Sequence, residues 1–469
     1  LHRLIRRQRQ MCIRDRFLII HIIKERSANT DPKSKMRILF LGSDDFSTSI
    51  LKTITKFPKL KVDVLGPSAD TVFYNNKHIK TQVIPKIIEY SSSNNLTYSQ
   101  DINTYKQDIL DRKYDMLITA SFNAFIDKTI INKFPMNRCI NIHPSLLPYY
   151  KGAAPIQRTL LDNAKYTGVT IQTLHPDKFD HGKILLQSSP ILTDTLCNDF
   201  DKKISWKSIY KMNSIFIKKE ETFNEEDNKY RLKQNDDKTG IYFNEKYSHL
   251  RNSLTIVGSK LMHELFNNDN YMHIQPCENN KLICGEKLEN KKFSSKLTIL
   301  DFDIDWNSKT ASELEYIGNI TNEKIYTYFK KVPIKNRTKQ PWIPEKIFLT
   351  NFKSLDRYEP INDDCEVGTF EIKENKIVIK CKSNTYIECG GVRPADKPDF
   401  ITIPKFEKLI KKNYKQRVLK FNSLTDVISE YKDLKSNDDS GVVRIAAVED
   451  MIRLKASSKN KSKYKTLYL

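Results

Sequence analysis

Four short, mostly apolar runs set the first constraint on this chain: Arg37–Gly42, Leu60–Leu65, Asp115–Ala120 and Cys139–His143. Helical spacing fills two of the gaps, over Ser47–Phe57 and Ile102–Arg112, and Thr167–Leu174 reads as a further strand. Strands alternating with helices across about 150 residues predict an α/β unit built on a mostly parallel sheet. Chemistry in such sheets collects at the C-terminal ends of the strands. The polar residues after Leu41, Thr119, Ile142 and Leu174 are therefore the ones to examine.

The pattern breaks over residues 198–240, a polar stretch without period that reads as an inserted loop. Helical spacing returns at Leu250, Leu254, Val257, Leu261 and Leu265. A second region opens at Phe293–Trp306, and residues 366–389 read as Gly368–Ile372, a turn at Glu374-Asn375, Ile377–Cys381 and Tyr386–Cys389. Short strands with tight turns predict a small β-barrel or sandwich. Lys330, Lys331, Lys335, Arg337 and Lys339 cluster near Tyr326, Tyr328, Phe329 and Trp342, a mixture suited to nucleic-acid backbone contacts and base stacking. A lysine-rich exposed loop has the same composition. Residues 401–469 read as a basic extension, with an amphipathic stretch at Ala446–Lys455.

The formal net charge of +22 points to a polyanionic partner, most often nucleic acid. Residues 1–35 hold ten Lys/Arg and three Asp/Glu, so +15 remains on the rest. That Arg-rich, acid-poor segment ahead of Met36 reads equally as a mitochondrial transit peptide or as a stretch foreign to the native chain. The 8 cysteines form no C-x-x-C, and no run of eighteen apolar residues offers a membrane span. Two motifs are decoys. Asp301-Phe302-Asp303-Ile304-Asp305 has the acids of a Ca²⁺ loop, but Trp306 stands where glycine is required, and acids alternating on a strand face explain it better. Gly42-Ser43-Asp44 lacks the further glycines of a dinucleotide loop.

The most informative stretch is Asn141-Ile142-His143-Pro144-Ser145-Leu146-Leu147-Pro148. Asn141 and His143, two apart at a strand end, project to one side, and Pro144 stops the strand there. Asp177-Lys178-Phe179-Asp180-His181-Gly182 forms a loop ahead of the apolar Ile184-Leu185-Leu186. A carboxylate beside an imidazole fixes its tautomer and favours its charged form. An amide beside both can donate to a developing oxyanion. Asn, His and Asp without a Ser or Cys nucleophile suit acyl transfer directly between two substrates.

With Lys151-Gly152-Ala153-Ala154-Pro155-Ile156-Gln157 following, this stretch resembles the signature of the folate-dependent formyltransferases, and within them the branch whose acceptor is methionyl-tRNA. Arg37–Phe46, Thr167–Ile171 running up to Phe179–Gly182, and Asp303–Trp306 after Ser295–Leu297 agree in order and spacing. The resemblance covers roughly 36–190 well and 250–400 patchily. It implies a Rossmann-like α/β formyltransferase domain over 36–270 and a smaller C-terminal OB-like β-barrel over 290–400 that holds tRNA through the Lys330–Lys339 cluster. It implies transfer of a formyl group from 10-formyltetrahydrofolate to the α-amine of initiator methionyl-tRNA, by a monomer in the mitochondrial matrix, with no metal. Carried over residue by residue, catalysis falls on Asn141, His143 and Asp180. The folate pterin falls on Ala120, Ser121, Phe122, Asn123, Ala124, Phe125 and Ile126, faced by Asp177 and Phe179. Substrate contacts fall on Ser43, Phe46, Ser145, Leu146, Leu147, Pro148, Lys151 and Gly152. The family's basic acceptor-stem loop maps to Gly66–Lys80, which departs from it in having only Lys77, His78 and Lys80 as basic residues. A formyltransferase for a small nucleotide acceptor and an RNA-binding protein with a degenerate enzyme domain are the rival readings.

Overall fold

The computed structural model describes residues 35–67, 70–74, 79–122, 124–135, 137–198, 243–280, 282, 293–322, 325–331, 343–358, 364–395, 397–413, 419–436 and 465–467. The expected leader, the 198–240 loop from 199 on, and the Ala446–Lys455 stretch lie outside the described residues.

The apolar runs form the centre of a seven-stranded sheet. Met36–Gly42 lies between Leu60–Leu65 and Met116–Ala120, with Cys139–His143 beyond the latter, all parallel. Ile38, Leu39, Phe40 and Leu41 are all fully buried, because helices cover both faces of this sheet, and such strands read as unbroken apolar runs. Thr170–Thr173 and Ile184–Gln187 complete one edge antiparallel. The helix Asp45–Thr55 starts where Asp44 accepts from the Ser47 N–H and Ser47 returns a bond to the Asp44 backbone, a reciprocal cap. Ile102–Arg112, expected as one helix, is instead a 3-10 turn, Ile102–Tyr105, followed by the short helix Lys106–Leu110. Within the atypical 66–80 region, Asp70–Tyr74 pairs with Ile79–Val83 as an antiparallel hairpin.

The long helix Glu245–Phe266 packs across Asp45–Thr55, burying Leu250, Leu254, Val257, Leu261 and Leu265. Arg251 reaches back to the Asp44 carboxylate at 3.2 Å. The first hydrophobic core thus includes a helix far along the chain from the sheet it covers.

The second region is a six-stranded antiparallel sheet in the order Phe370–Lys373, Lys376–Cys381, Thr385–Pro394, Ile343–Leu355, Tyr326–Lys331, Phe421–Asn422. Its two edges meet: Thr369 bridges Lys420, the Phe370 N–H donates to the Leu419 carbonyl, and the Phe421 N–H donates to that of Gly368. Edge-to-edge bonding removes the exposed strand edges that an open sheet would carry. The second core does not end at 400, as the extension reading supposed. Ile403, Phe406, Ile410, Phe421, Leu424, Val427 and Ile428 are buried in it, so the residues to about 430 are structural. The acids of 301–305 alternate with buried Phe302 and Ile304, but not on a strand: Ile299–Phe302 is a 3-10 turn, Asp301 pairs with Arg158, and Asp303 accepts the Leu424 N–H.

Candidate active site

Asn141 and His143 stand on one face at the end of Cys139–His143. The antiparallel neighbour sets Gln172 opposite Asn141 and Thr170 opposite His143, on that same face. The parallel neighbour contributes Thr119, whose hydroxyl donates to Asn141 Oδ1 at 2.9 Å. That bond fixes which end of the amide faces the site, leaving Nδ2 as the outward donor.

The donors converge on Asp180, held in the left-handed region at φ 54°. Its Oδ1 accepts Gln172 Nε2 at 2.8 Å and Asn141 Nδ2 at 3.3 Å, and His143 Nδ1 lies 3.5 Å away. Its Oδ2 accepts the Gly152 N–H at 2.9 Å. His143 is only 5% exposed, and its Nε2 lies 2.8 Å from the Tyr150 carbonyl. A carbonyl only accepts, so Nε2 carries a proton and Nδ1 is the nitrogen presented to Asp180. The structure therefore gathers Asn141, His143 and Asp180 into one cluster, with a defined imidazole tautomer.

Several residues of the cluster carried no strong sequence signal. Gln172 is 1% exposed and owes its place to the antiparallel register, which no local sequence pattern encodes. Asn279 donates to the Asp180 carbonyl at 3.0 Å and weakly to Gln172 Oε1, and nothing in its surroundings sets it apart in the sequence. Ser294 donates its hydroxyl to the same Tyr150 carbonyl that receives His143.

The 120–126 and 177–180 loops meet through Phe125 and Phe179, whose rings sit edge to face at 5.2 Å. Set at 76° to each other, the two rings form an apolar corner beside the cluster. Ser121 has φ 47°, and its carbonyl accepts from Ser43 Oγ. Ala120 is buried, Phe122 and Ala124 are half-buried, Asp177 is exposed, and Asn123 lies outside the described residues. Lys465–Leu467 runs parallel to Ala124–Ile126 and takes up backbone groups along one edge. A ligand reading this loop's backbone would use Ala120–Phe122 or the other edge. Among the described residues, no group of three His, Cys, Asp or Glu side chains could hold a metal, and no helix is long and apolar enough to cross a membrane.

Some expected contacts require correction. Phe46 is 1% exposed and packs between its own helix and Gly258 of the long helix, so its ring supports the core and does not line a site. Ser145, Leu146 and Leu147 are buried too, and act by framing. The Leu147 N–H donates to Thr170 Oγ1, Leu147 O accepts from Gln187, and Ser145 Oγ bonds the Tyr149 carbonyl. Pro148 is buried within the same turn. Lys151 is half-buried beside the Asn279 carbonyl. In the second region Lys330 is ion-paired to Glu430 of the helix Leu424–Ser436, and is not a free surface cation. Tyr326, Tyr328 and Phe329 are core residues, closed to base stacking. The Lys331 side chain and Lys335, Arg337, Lys339 and Trp342 lie outside the described residues. Two half-buried cations rest on rings of this sheet: Lys346 Nζ sits 3.5 Å from the Tyr326 ring centre, and the Arg393 guanidinium sits 4.0 Å from that of Phe348.

Residues 36–205 match the family model described as formyl transferase. The chain is 51% identical over 83 residues to methionyl-tRNA formyltransferase, mitochondrial, of Saccharomyces cerevisiae, covering 18% of this chain and 20% of that protein. It is 33% identical over 205 residues to methionyl-tRNA formyltransferase of a Wolbachia strain, covering 43% and 64%. It is 31% identical over 164 residues to methionyl-tRNA formyltransferase, mitochondrial, of Rattus norvegicus, covering 35% and 40%. The matches span less than two thirds of each relative's length.

Proposed function

We propose that the protein transfers the formyl group of 10-formyltetrahydrofolate to the α-amine of initiator methionyl-tRNA, a reading that starts from the match of residues 36–205 to the formyl transferase family model. The observation that carries this reading is the convergence of Asn141, Gln172, His143 and the Gly152 N–H on Asp180 at a strand end. Such a cluster has a proton carrier and an amide donor but no side-chain nucleophile, which suits direct attack of one substrate on another.

α-Amines titrate near ~7.7–8.0, so much of the acceptor is neutral at physiological pH. Its nitrogen attacks the formyl carbon, a new C–N bond forms, and the formyl oxygen gains negative charge. Asn141 Nδ2 donates toward that charge, and a preorganised donor of this kind supplies part of the rate enhancement, while His143 Nδ1, unprotonated in the Nε2–H tautomer, is placed to take the amine's proton. Collapse breaks the bond to N10 of the folate. The proton lost by the amine reaches the leaving nitrogen through His143 and Asp180 or a bound water. The pterin lies in the apolar corner made by Phe125 and Phe179.

The second region acts as the OB-like barrel that holds the tRNA. The net charge of +22 and the cations Lys346 and Arg393 support that role. With Lys330 neutralised by Glu430, the tRNA contacts fall less on the 330–339 cluster than composition implied. The Arg-rich residues 1–35 and the mitochondrial names of two relatives support a mitochondrial site of action. The test is transfer of labelled formyl from 10-formyltetrahydrofolate to charged initiator tRNA, with glycinamide ribonucleotide as the competing acceptor. Transfer to the small acceptor alone would overturn the reading.

A further inference from the structure

We propose that Ser294, in the segment joining the two regions, is a positioning residue that holds the His143 imidazole in its working tautomer and pose through the Tyr150 carbonyl. The inference rests on the formyl-transfer reading of the site for its kinetic part. Its structural part stands apart from that reading.

The Tyr150 carbonyl accepts two bonds, from His143 Nε2 at 2.8 Å and from Ser294 Oγ at 2.9 Å. A carbonyl oxygen has two lone pairs, so this pair of donors satisfies it. Tyr150 itself is in the left-handed region at φ 55°, a conformation that costs a non-glycine residue free energy. Its peptide therefore keeps its direction only while neighbours hold it. Ser294 is fully buried, and its backbone is pinned on both sides: its N–H donates to the Lys151 carbonyl at 2.7 Å, and its carbonyl accepts from Ala154 at 3.2 Å.

The next residues are clasped separately. Arg158 donates to the carbonyl and the hydroxyl of Ser295 and pairs with Asp301. Ser294 and Ser295 thus do different jobs. Ser295 helps seat the segment against the helix Pro155–Leu161, whereas the Ser294 hydroxyl alone reaches the imidazole's acceptor. Seating of the joining segment is in this way communicated to the catalytic nitrogen by a single carbonyl.

If the Ser294 hydroxyl is removed, the Tyr150 peptide is freed to relax and His143 loses its fixed acceptor. Nε2 and Nδ1 then compete for the proton. The experiment compares wild-type, Ser294→Ala and Ser295→Ala full-length protein. Kinetics should show kcat lower by ~10- to 100-fold in Ser294→Ala, the scale of a misplaced catalytic group, with KM for both substrates within about threefold. Ser295→Ala should lower thermal stability yet keep its kcat. In selectively ¹⁵N-histidine-labelled protein without substrates, the His143 ring, assigned with a His143→Gln sample, should show the Nε2–H tautomer. In Ser294→Ala it should become a mixture. An unchanged imidazole spectrum in Ser294→Ala, or an equal loss of kcat in Ser295→Ala, would overturn the proposal. A wild-type protein that moves no formyl group would instead fail the functional reading, and the imidazole spectrum would still decide the role of Ser294.

Discussion

Replacing Gly152 with alanine tests the joint between the catalytic carboxylate and the segment that seals it. Gly152 has φ 122°, a backbone angle that L side chains rarely adopt. A Cβ built there would lie 2.5 Å from the Ser294 carbonyl oxygen and 3.1 Å from both the Ser294 carbonyl carbon and the Phe293 ring. Real Cβ contacts stay beyond 3.0 Å, so the backbones must part by at least 0.5 Å. The oxygen that must yield is itself bonded to Ala154, and the same residue's N–H is bonded to Lys151, so little slack exists. The strained φ costs ~1–3 kcal/mol and the forced separation a further ~1–3 kcal/mol. Gly152→Ala should therefore destabilise the protein by about 2–6 kcal/mol, read as a lower urea midpoint. The same shift carries the Gly152 N–H away from Asp180 Oδ2, now at 2.9 Å. Turnover corrected for the folded fraction should fall ~10²-fold, the loss expected when an acid–base group is misaligned. Gly168→Ala is the matched control. Its Cβ would crowd the side chains of Ser188 and Leu146 and no backbone of the cluster, so stability should drop while folded-state turnover survives. A Gly152→Ala enzyme with an unmoved midpoint and turnover within threefold of wild type would refute the reasoning.

Asn141→Ala, His143→Ala and Asp180→Ala should each cut turnover at least ~10²-fold, and Gln172→Leu about tenfold, by formyl-transfer kinetics, because all four meet at one carboxylate. Burial lifts the Asp303 carboxyl to about 7, with Asp305 and Asp426 adding to the rise and the Leu424 N–H and Lys346 opposing it. The unfolded chain gives up this proton near 3.8, so between there and 7 the folded state holds more protons and stability falls as pH rises. Asp303→Asn should flatten that slope in urea titrations at pH 5 and pH 8, and an unchanged slope would place the titration elsewhere. Arg393→Ala should reduce the salt dependence of tRNA affinity by roughly 0.7–0.9 in log–log slope, whereas Lys330→Ala should lower stability with little change in slope, since Glu430 already pairs it. The reverse ranking, in tRNA titrations across salt, would return the interface to the 330–339 cluster.

The parallel strands were legible because most of their positions are buried and so mostly apolar, with Lys61 and Asp63 the exceptions in Leu60–Leu65. Asn141 and His143 were legible because two polar residues at a strand tip break that rule together. Gln172 was not, since its importance comes from an antiparallel register that no local pattern encodes. Asn279 and Ser294 arrive at the cluster by tertiary folding from more than ninety positions beyond Asp180. Charge counting misjudged Lys330, because composition cannot see Glu430 a hundred positions later on a packed helix. The aromatics at 326–329 were read as a stacking surface, but Tyr328 and Phe329, adjacent on one strand, point to opposite faces and both are buried, so the strand is covered on both sides. Burial also moved the end of the second region past 400, where the helix Ile403–Asn413 looked merely basic in sequence.

The helix Glu245–Phe266 lies beyond residue 205, where the family match ends, yet it covers one face of the sheet that the match describes. During synthesis, Met36–Gly42 and its parallel partners will have left the ribosome well before this helix exists. Chain elongation runs at ~5–20 residues per second, so the uncovered apolar face persists for seconds. That interval is one in which a chaperone or a neighbouring nascent chain competes for the place of Leu250, Leu254, Val257, Leu261 and Leu265. A fragment cut at 205 would remain in that state permanently. It should therefore collect in inclusion bodies, whereas one cut after 320 keeps Ile320 and the packed Ile274, Leu297 and Tyr316 that complete the first core.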